Sequence, residues 1–288
     1  MIKYLTRNQL DVEKYNHCIS KAFNSRIYGY SWYLDAVCDA WDILVKNDYQ
    51  TVMPLPKRKK YGVPYIYQVP WAQQLGLFSL AEIEESTITA FIHAIPKKFK
   101  LIDIFLNSKN NFSSKHLKLR TNYILALDTD FKTLKNNFNS NRKRVCKINF
   151  DGFRIDKKGN TKAFLAFYKN QESNYKTHKD TFEKLQKLVL LNSSAIHIWN
   201  VYRDNRIIAS LCWLKDLNRI TYLAPIAIAE AKKENIPTFI INEIIKEHEN
   251  SNYILDFEGS MIKGVAQFYK SFGAKKEIYS QYKKYNLF

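Results

Sequence analysis

The sequence lacks most of the signatures that fix a chemistry at once. Its four cysteines, Cys18, Cys38, Cys146 and Cys212, are widely spaced, form no C-x-x-C and have no histidine at ligand spacing. A zinc site and a disulfide scaffold are thereby excluded as organising features, and no metal is expected. There is no G-x-x-x-x-G-K-S/T, no G-x-G-x-x-G, no H-E-x-x-H and no G-x-S-x-G, so kinase, dehydrogenase, zinc hydrolase and serine hydrolase readings lose their support. No run of about 18 apolar residues occurs. The opening MIKYLTRNQLDVEKYNH has no apolar stretch of the signal-peptide kind, and a cytoplasmic protein is expected. Acidic residues are in short supply too: 27 Asp plus Glu stand against 45 Lys plus Arg, for a formal charge of +18.

What is there is a chain able to bury a core, 288 residues with 46% hydrophobic and 15% aromatic content, long enough for one large or two ordinary domains. Its positive field suits phosphate-rich partners: nucleic acid, nucleotide-linked substrates or an anionic membrane face. Punctuation residues divide it into alternating strands and helices, an α/β pattern without a low-complexity linker. SWYLDAVCDAW reads as a helix, YQTVMPLPKRKKYGVPYIYQVP as two strands around a basic turn, and KLIDIFLNS as a strand. After the strand TNYILALD comes a long helix from about Asp130 to Ile148. AIHIWNVYRDNRIIASLCWLKDLNRITYLAP reads as three antiparallel strands, Ala231 to Glu249 as a helix and YILDFEGS as a strand. Pro70 and Pro225, and Asp103 and Asp256, share nearly one offset, which suggests two copies of one unit, 1–125 and 126–288.

Several residues invite chemistry. In YILDFEGS the strand period sends Asp256 and Glu258 to one face. There they suit a general base with its orienting partner, or a pairing carboxylate and a helix cap near Ser260; a structural role is expected for Asp256. On the following helix Tyr269 belongs to an apolar face, and Lys263, Gln267 and Lys270 line the other side. The long helix carries Phe131, Leu134, Phe138, Val145 and Ile148 as an apolar stripe interrupted by Arg142, which needs a buried carboxylate or an anionic ligand. Lys143, Arg144 and Lys147 adjoin it. VPWAQQLG, with Trp71, Gln73 and Gln74, has the makings of a polar pocket with an aromatic wall. Lys57, Arg58, Lys59 and Lys60 precede it as exposed turn charge.

Taken together, DFEGSMIKGVAQFYKSFGA resembles the C-terminal signature of Fem-type peptidyltransferases and their relatives in the GNAT-like acyl-transferase superfamily, D-F-x-G followed by G-x-x-x-F-(K/Y)-x-x-F-G. SNRKRVCKINFDGFRI is similar to the N-x-R-x-x-I-R-K segment of that family, with Arg142, Val145 and Lys147 at matching positions. The resemblance implies two tandem GNAT-like domains, a C-terminal IYSQYKKYNLF that returns to the first of them, and transfer of an aminoacyl or acyl group to an amine. Glu258 is then the candidate base, with Lys270 and Tyr269 beside it. Arg142, Lys143, Trp71, Gln73, Gln74 and Tyr222 are candidate binding positions, and Asp256, Gly259, Gly264 and Gly273 structural ones. The sequence departs from the family pattern at Cys146, at the pair Phe268-Tyr269 and in having no stretch for a helical-hairpin arm. These departures keep a non-catalytic binding module in view. No cofactor is expected to be tightly bound; aminoacyl-tRNA or acyl-CoA would serve as co-substrate. The segment APIAIAEAKKENIP, at the place where a CoA pyrophosphate loop would lie, contains no glycine, which favours a tRNA or another nucleotide-linked partner over acetyl-CoA.

Overall fold

The computed structural model describes residues 1–148, 151–172, 179–191, 193–259 and 261–286. It has the mixed α/β character expected from the sequence and divides into two compact units, Met1–Arg120 with Ile278–Phe288, and Thr121–Glu277. The division therefore falls at Arg120/Thr121 rather than after residue 125.

The first unit runs β1 (Ile2–Thr6), α1 (Val12–Lys21), α2 (Ser31–Val37), β2 (Ala40–Lys46), β3 (Thr51–Lys60), β4 (Val63–Ile66), β5 (Phe78–Ser79), α3 (Glu85–Ala94) and β6 (Leu101–Leu106). β1 to β4 pair antiparallel in sequence order. β6 then returns parallel to β4, with Ile66 opposite Ile102. Asp11 caps α1 by accepting from the Lys14 amide at 3.0 Å. The helices bury Tyr15, Ile19, Tyr33 and Leu34, and the strands bury Ile43, Val52 and Leu55, so each contributes its apolar face to one core. The expected helix SWYLDAVCDAW ends early, because Trp41 already belongs to β2. The basic run is also differently placed. Lys57 to Lys60 finish β3, and the turn itself is Tyr61-Gly62.

The second unit contains most of β7 (Leu117–Ala126), then α4 (Phe131–Asn136), α5 (Ser140–Val145), β8 (Arg154–Asp156), α6 (Thr161–Glu172), α7 (Lys179–Val189), β9 (Ile196–Arg203), β10 (Arg206–Asp216), β11 (Arg219–Ala227), α8 (Ala229–Lys233), α9 (Ile236–Glu247), β12 (Ile254–Asp256) and α10 (Lys263–Lys270). β8 to β11 pair antiparallel in order. β12 follows parallel to β11, and β7 closes the series antiparallel to β12. The first unit has the same succession of pairings, with β6 in the place of β12 and the final strand β13 (Lys275–Tyr285) antiparallel to β6. Trp199, Ile220, Ile240, Ile244, Leu255, Phe257 and Phe272 form the buried centre of the second unit.

Two long helices expected from the sequence are each broken in two. The stretch 130–148 divides because Asn139 leaves helical geometry and caps α5, its side chain accepting from the Arg142 amide at 2.8 Å; an Asn-rich, Ser-bearing segment offers the backbone such alternatives. The apolar stripe stops with it, and Ile148 is 45% exposed. The stretch 231–249 divides at Asn235, which adopts φ 65° before Pro237 in the first turn of α9.

Candidate active-site cleft of the second unit

The cleft originates in a parallel pair that parts. β11 and β12 are in register only from Arg219↔Ile254 to Thr221↔Asp256, whereas β11 continues against β10 as far as Ala227. Beyond Thr221, β11 has a strand neighbour on one side alone among the described residues, and it carries a proline there, Pro225, as edges tolerate. The cleft of about 410 Å³ opens on that side, lined by Tyr222, Pro225 and Ile226 of β11, Pro237 and Thr238 of α9, and residues of α10.

Local chemistry ends β12 at this point. The Asp256 carboxylate is 1% exposed; it meets Arg219 Nη1 at 2.5 Å, Asn122 Nδ2 at 2.9 Å and the Glu258 amide at 2.8 Å. Arg219 also reaches Glu277 at 3.2 Å, and these carboxylates raise its pKa against the opposing pull of burial. The chain then turns through two left-handed residues, Glu258 at φ 56° and Gly259 at φ 53°. A Cβ on Gly259 would lie 2.4 Å from the Thr121 carbonyl oxygen and 2.5 Å from Asn122 Cα, so glycine is required by both conformation and contact. The extended strand expected through Glu258 thus stops at Asp256, because the ion network pins its end and the left-handed pair redirects the chain. Ser260 lies outside the described residues.

α10 brings its apolar side back over the gap. Tyr269 is buried, stacks on Phe257 with ring centroids 4.7 Å apart, and meets Tyr222 edge to face at 6.4 Å. Both phenols line the cleft, and neither hydroxyl has a hydrogen-bond partner among the described residues. Burial raises both pKa values, and the nearby Glu258 carboxylate adds to the rise at Tyr269. At neutral pH the two phenols therefore keep their protons and act as donors. Gly264 also lines the cleft, and a Cβ there would meet nothing within 4 Å. Packing within the fold gives no reason for that glycine. Gly273, by contrast, sits at φ 74° with Asn137 Cβ 2.9 Å from its ideal Cβ.

Arg142 forms the inner wall. It is 5% exposed, its Nε donates to Ser271 Oγ at 2.9 Å, and another nitrogen donates to the Thr238 hydroxyl. The guanidinium lies 4.7 Å over Phe268 and 4.6 Å over Phe272. No carboxylate pairs with it among the described residues, and desolvation lowers its pKa from the ordinary value. A cation so placed favours an anionic ligand. Lys232 and the N-terminal turn of α9, also on the lining, contribute potential of the same sign.

The other sequence candidates lie elsewhere. Glu258 is half-buried beside the cleft without lining it, Lys143 is half-buried off the lining, and Lys270 is exposed with its ammonium 5.6 Å over Tyr123. Trp71, Gln73 and Gln74 belong to the first unit. Gln74 is fully buried, accepting from the Ser108 amide at 2.9 Å and donating to Gln73 at 2.9 Å; Trp71 adopts φ 64° and accepts through its carbonyl from Tyr33. Their polar groups hold a loop. Thr238 and Asn235 on the lining were not singled out in the sequence, and Pro225 was marked there only as a landmark of the repeat, although a proline within an apolar strand signals a free edge. No group of three or more potential metal ligands occurs among the described residues.

The fold is a tandem GNAT-like one, with two GNAT-like units in one chain. No protein-family model matches the sequence, and no curated sequence matches it significantly. Among solved structures the chain is similar to FemX, at 10% identity and a TM-score of 0.68 over 96% of each chain. It is similar as well to a tandem GNAT protein from the clavulanic acid biosynthesis pathway, at 9% identity and a TM-score of 0.56 over 98% of each. L-PGS from Bacillus licheniformis matches at 12% identity and a TM-score of 0.53, over 94% of this chain and 91% of that one. At these identities the likeness is one of fold.

Proposed function

We propose that this protein is an N-acyl- or N-aminoacyltransferase whose chemistry takes place in the cleft between the parted strands β11 and β12. The observation that carries the reading is Arg142, a 5% exposed guanidinium with no carboxylate partner among the described residues, on the wall of a cleft whose lining carries no carboxylate. A buried charge held this way costs stability and is compensated when an anionic group arrives. Arg142 and Lys232 hold the anionic part of the donor.

An acceptor amine attacks the donor carbonyl. The C–N bond forms, the bond from carbonyl carbon to the leaving oxygen or sulfur breaks, and the amine's proton passes through a bridging water to Glu258, beside the cleft, and on to the leaving group. Tyr222 and Tyr269, both protonated at neutral pH, donate to the oxyanion that develops. Lys270, exposed on the other side of α10, is assigned no step.

Aminoacyl-tRNA is the donor best suited to a charge of +18 and a glycine-free APIAIAEAKKENIP. The likeness to a tandem GNAT protein supports acyl-CoA as the second reading. Transfer of radiolabelled amino acid from a mixed aminoacyl-tRNA pool to an amine acceptor, run beside labelled acetyl-CoA, tests both. Label incorporated from tRNA supports the first; label from acetyl-CoA alone supports the second. No transfer from either, with ligand binding intact, makes the protein a binding module.

A further inference from the structure

A second feature, confined to the first unit and independent of the cleft, has no part in the transfer chemistry. The hairpin β3–β4 turns through two residues, Lys60 being opposite Val63, and both turn residues have positive φ, 50° at Tyr61 and 80° at Gly62. Such turns favour Asn or Asp before the glycine, and a bulky aromatic is uncommon in this conformation. Tyr61 nevertheless stands 94% exposed, and Val63 beside it is 46% exposed. Nothing lies within 4 Å of a Cβ built on Gly62, so the tip projects clear of the fold.

The flank of the hairpin is basic. A cleft of about 640 Å³ at its side is lined by Lys57, Arg58, Lys59 and Lys98, with Asp39 as the single carboxylate on the lining. Lys57 is engaged by Asp42 at 2.5 Å and Arg58 by Asp39. Lys59, Lys60 and Lys98 have no carboxylate partner among the described residues. The Lys60 ammonium is 5.6 Å over the Tyr61 ring, and that of Lys98 is 4.6 Å over Tyr4. An aromatic and an aliphatic side chain at a projecting tip, with lysines set behind them, match the layered chemistry of a lipid interface, where apolar groups enter the acyl boundary and ammonium groups meet phosphates. A nucleic-acid strand is a poorer fit. One ring on a convex turn has no second wall to hold a stacked base, and the exposed valine would gain nothing from it.

We propose that the β3–β4 hairpin docks this protein on membranes carrying anionic phospholipid, with Tyr61 and Val63 entering the interface and Lys59, Lys60 and Lys98 facing the headgroup phosphates. The test is flotation of the full chain with phosphatidylcholine vesicles made with and without phosphatidylglycerol. Binding is expected only to the vesicles containing phosphatidylglycerol, and to weaken as salt rises. The double variant Lys59→Ala/Lys60→Ala should lose about 30-fold in binding, near fivefold for each lysine at an anionic surface. Tyr61→Asn should lose about tenfold while raising the melting temperature, because asparagine suits the turn better. That opposition of stability and binding separates docking from damage to the fold. Failure of the wild type to float with anionic vesicles, or equal binding by the variants, overturns the proposal. So does binding to an RNA oligonucleotide that the same substitutions abolish while the vesicles are ignored.

Discussion

Replacing Arg142 with methionine distinguishes a structural arginine from one that waits for a ligand. The substitution keeps most of the side-chain length and removes the charge. On one side, the folded state loses hydrogen bonds to Ser271 and Thr238, each worth about 1.5–3 kcal/mol when the donor is charged, and two cation–π contacts worth about 0.5–2 kcal/mol apiece. On the other, it no longer keeps an ion out of water, a relief of several kcal/mol for a buried charge. Ser271 is not orphaned, because its hydroxyl also donates to the Phe268 carbonyl at 2.5 Å. The two sides nearly offset each other, so Arg142→Met should change stability by no more than about 2 kcal/mol, a shift of about 4–8 °C for a unit of this size. Binding should respond far more. Truncating one side of a desolvated charge pair costs about 2–5 kcal/mol, or at least about 30-fold in affinity. Scanning fluorimetry for the fold, with isothermal titration of inorganic pyrophosphate and of CoA as anionic probes, measures both. A variant that loses well over 3 kcal/mol of stability and binds both probes as the wild type does would refute the reasoning, and make Arg142 a packing residue.

Three further outcomes are expected. Asp256→Asn should destabilise by about 3–5 kcal/mol in urea unfolding, because it leaves Arg219, 13% exposed, short of a buried partner; an equally stable variant would contradict the pinned strand end. Gly259→Ala should lose about 1–3 kcal/mol through its left-handed φ and the Thr121 contact, whereas Gly264→Ala, unobstructed in α10, should gain up to about 1 kcal/mol; the reverse order would overturn the assignment. His197 and His248 flank Trp213, with ring centroids 4.1 and 5.5 Å away, and burial lowers both pKa values. The folded state therefore binds fewer protons than the unfolded chain, and stability present above the ordinary histidine range near 6.5 should be lost as pH falls through it. A melting temperature flat from pH 7 to 5, or unaltered in slope by His197→Gln, would contradict this.

The strands β3, β4, β6, β7 and β9 to β12 were legible in the sequence because they are apolar runs with turn residues between them, whereas β1, β2, β8 and β13 were not read as strands and Trp41 of β2 was taken into a helix. The position of Asp103 in β6 and of Asp256 in β12, at the same place in each succession, follows from that pattern. The broken helices were less legible. Periodicity ran through Asn139 and Asn235, where capping and a left-handed residue end one helix and start another. The site was legible in part. Arg142 stood out as polarity on an apolar stripe and Tyr222 came from the resemblance, but the parting of β11 from β12, which opens the cleft beside them, is a tertiary event. Alternation placed Glu258 on a strand face beside Asp256, but its left-handed φ and that of Gly259 turn the chain away, and the close approach of Thr121 to Gly259 joins residues far apart in sequence.

The measurement that bears most directly on transfer in the second-unit cleft is the single-turnover rate of labelled acyl or aminoacyl transfer to an amine by Glu258→Gln, compared with wild type at matched melting temperature. A base in that position contributes about 10²- to 10⁴-fold, so the variant should fold and bind donor normally while its rate falls by about 100-fold or more. A variant that is equally stable and equally fast would place the chemistry elsewhere.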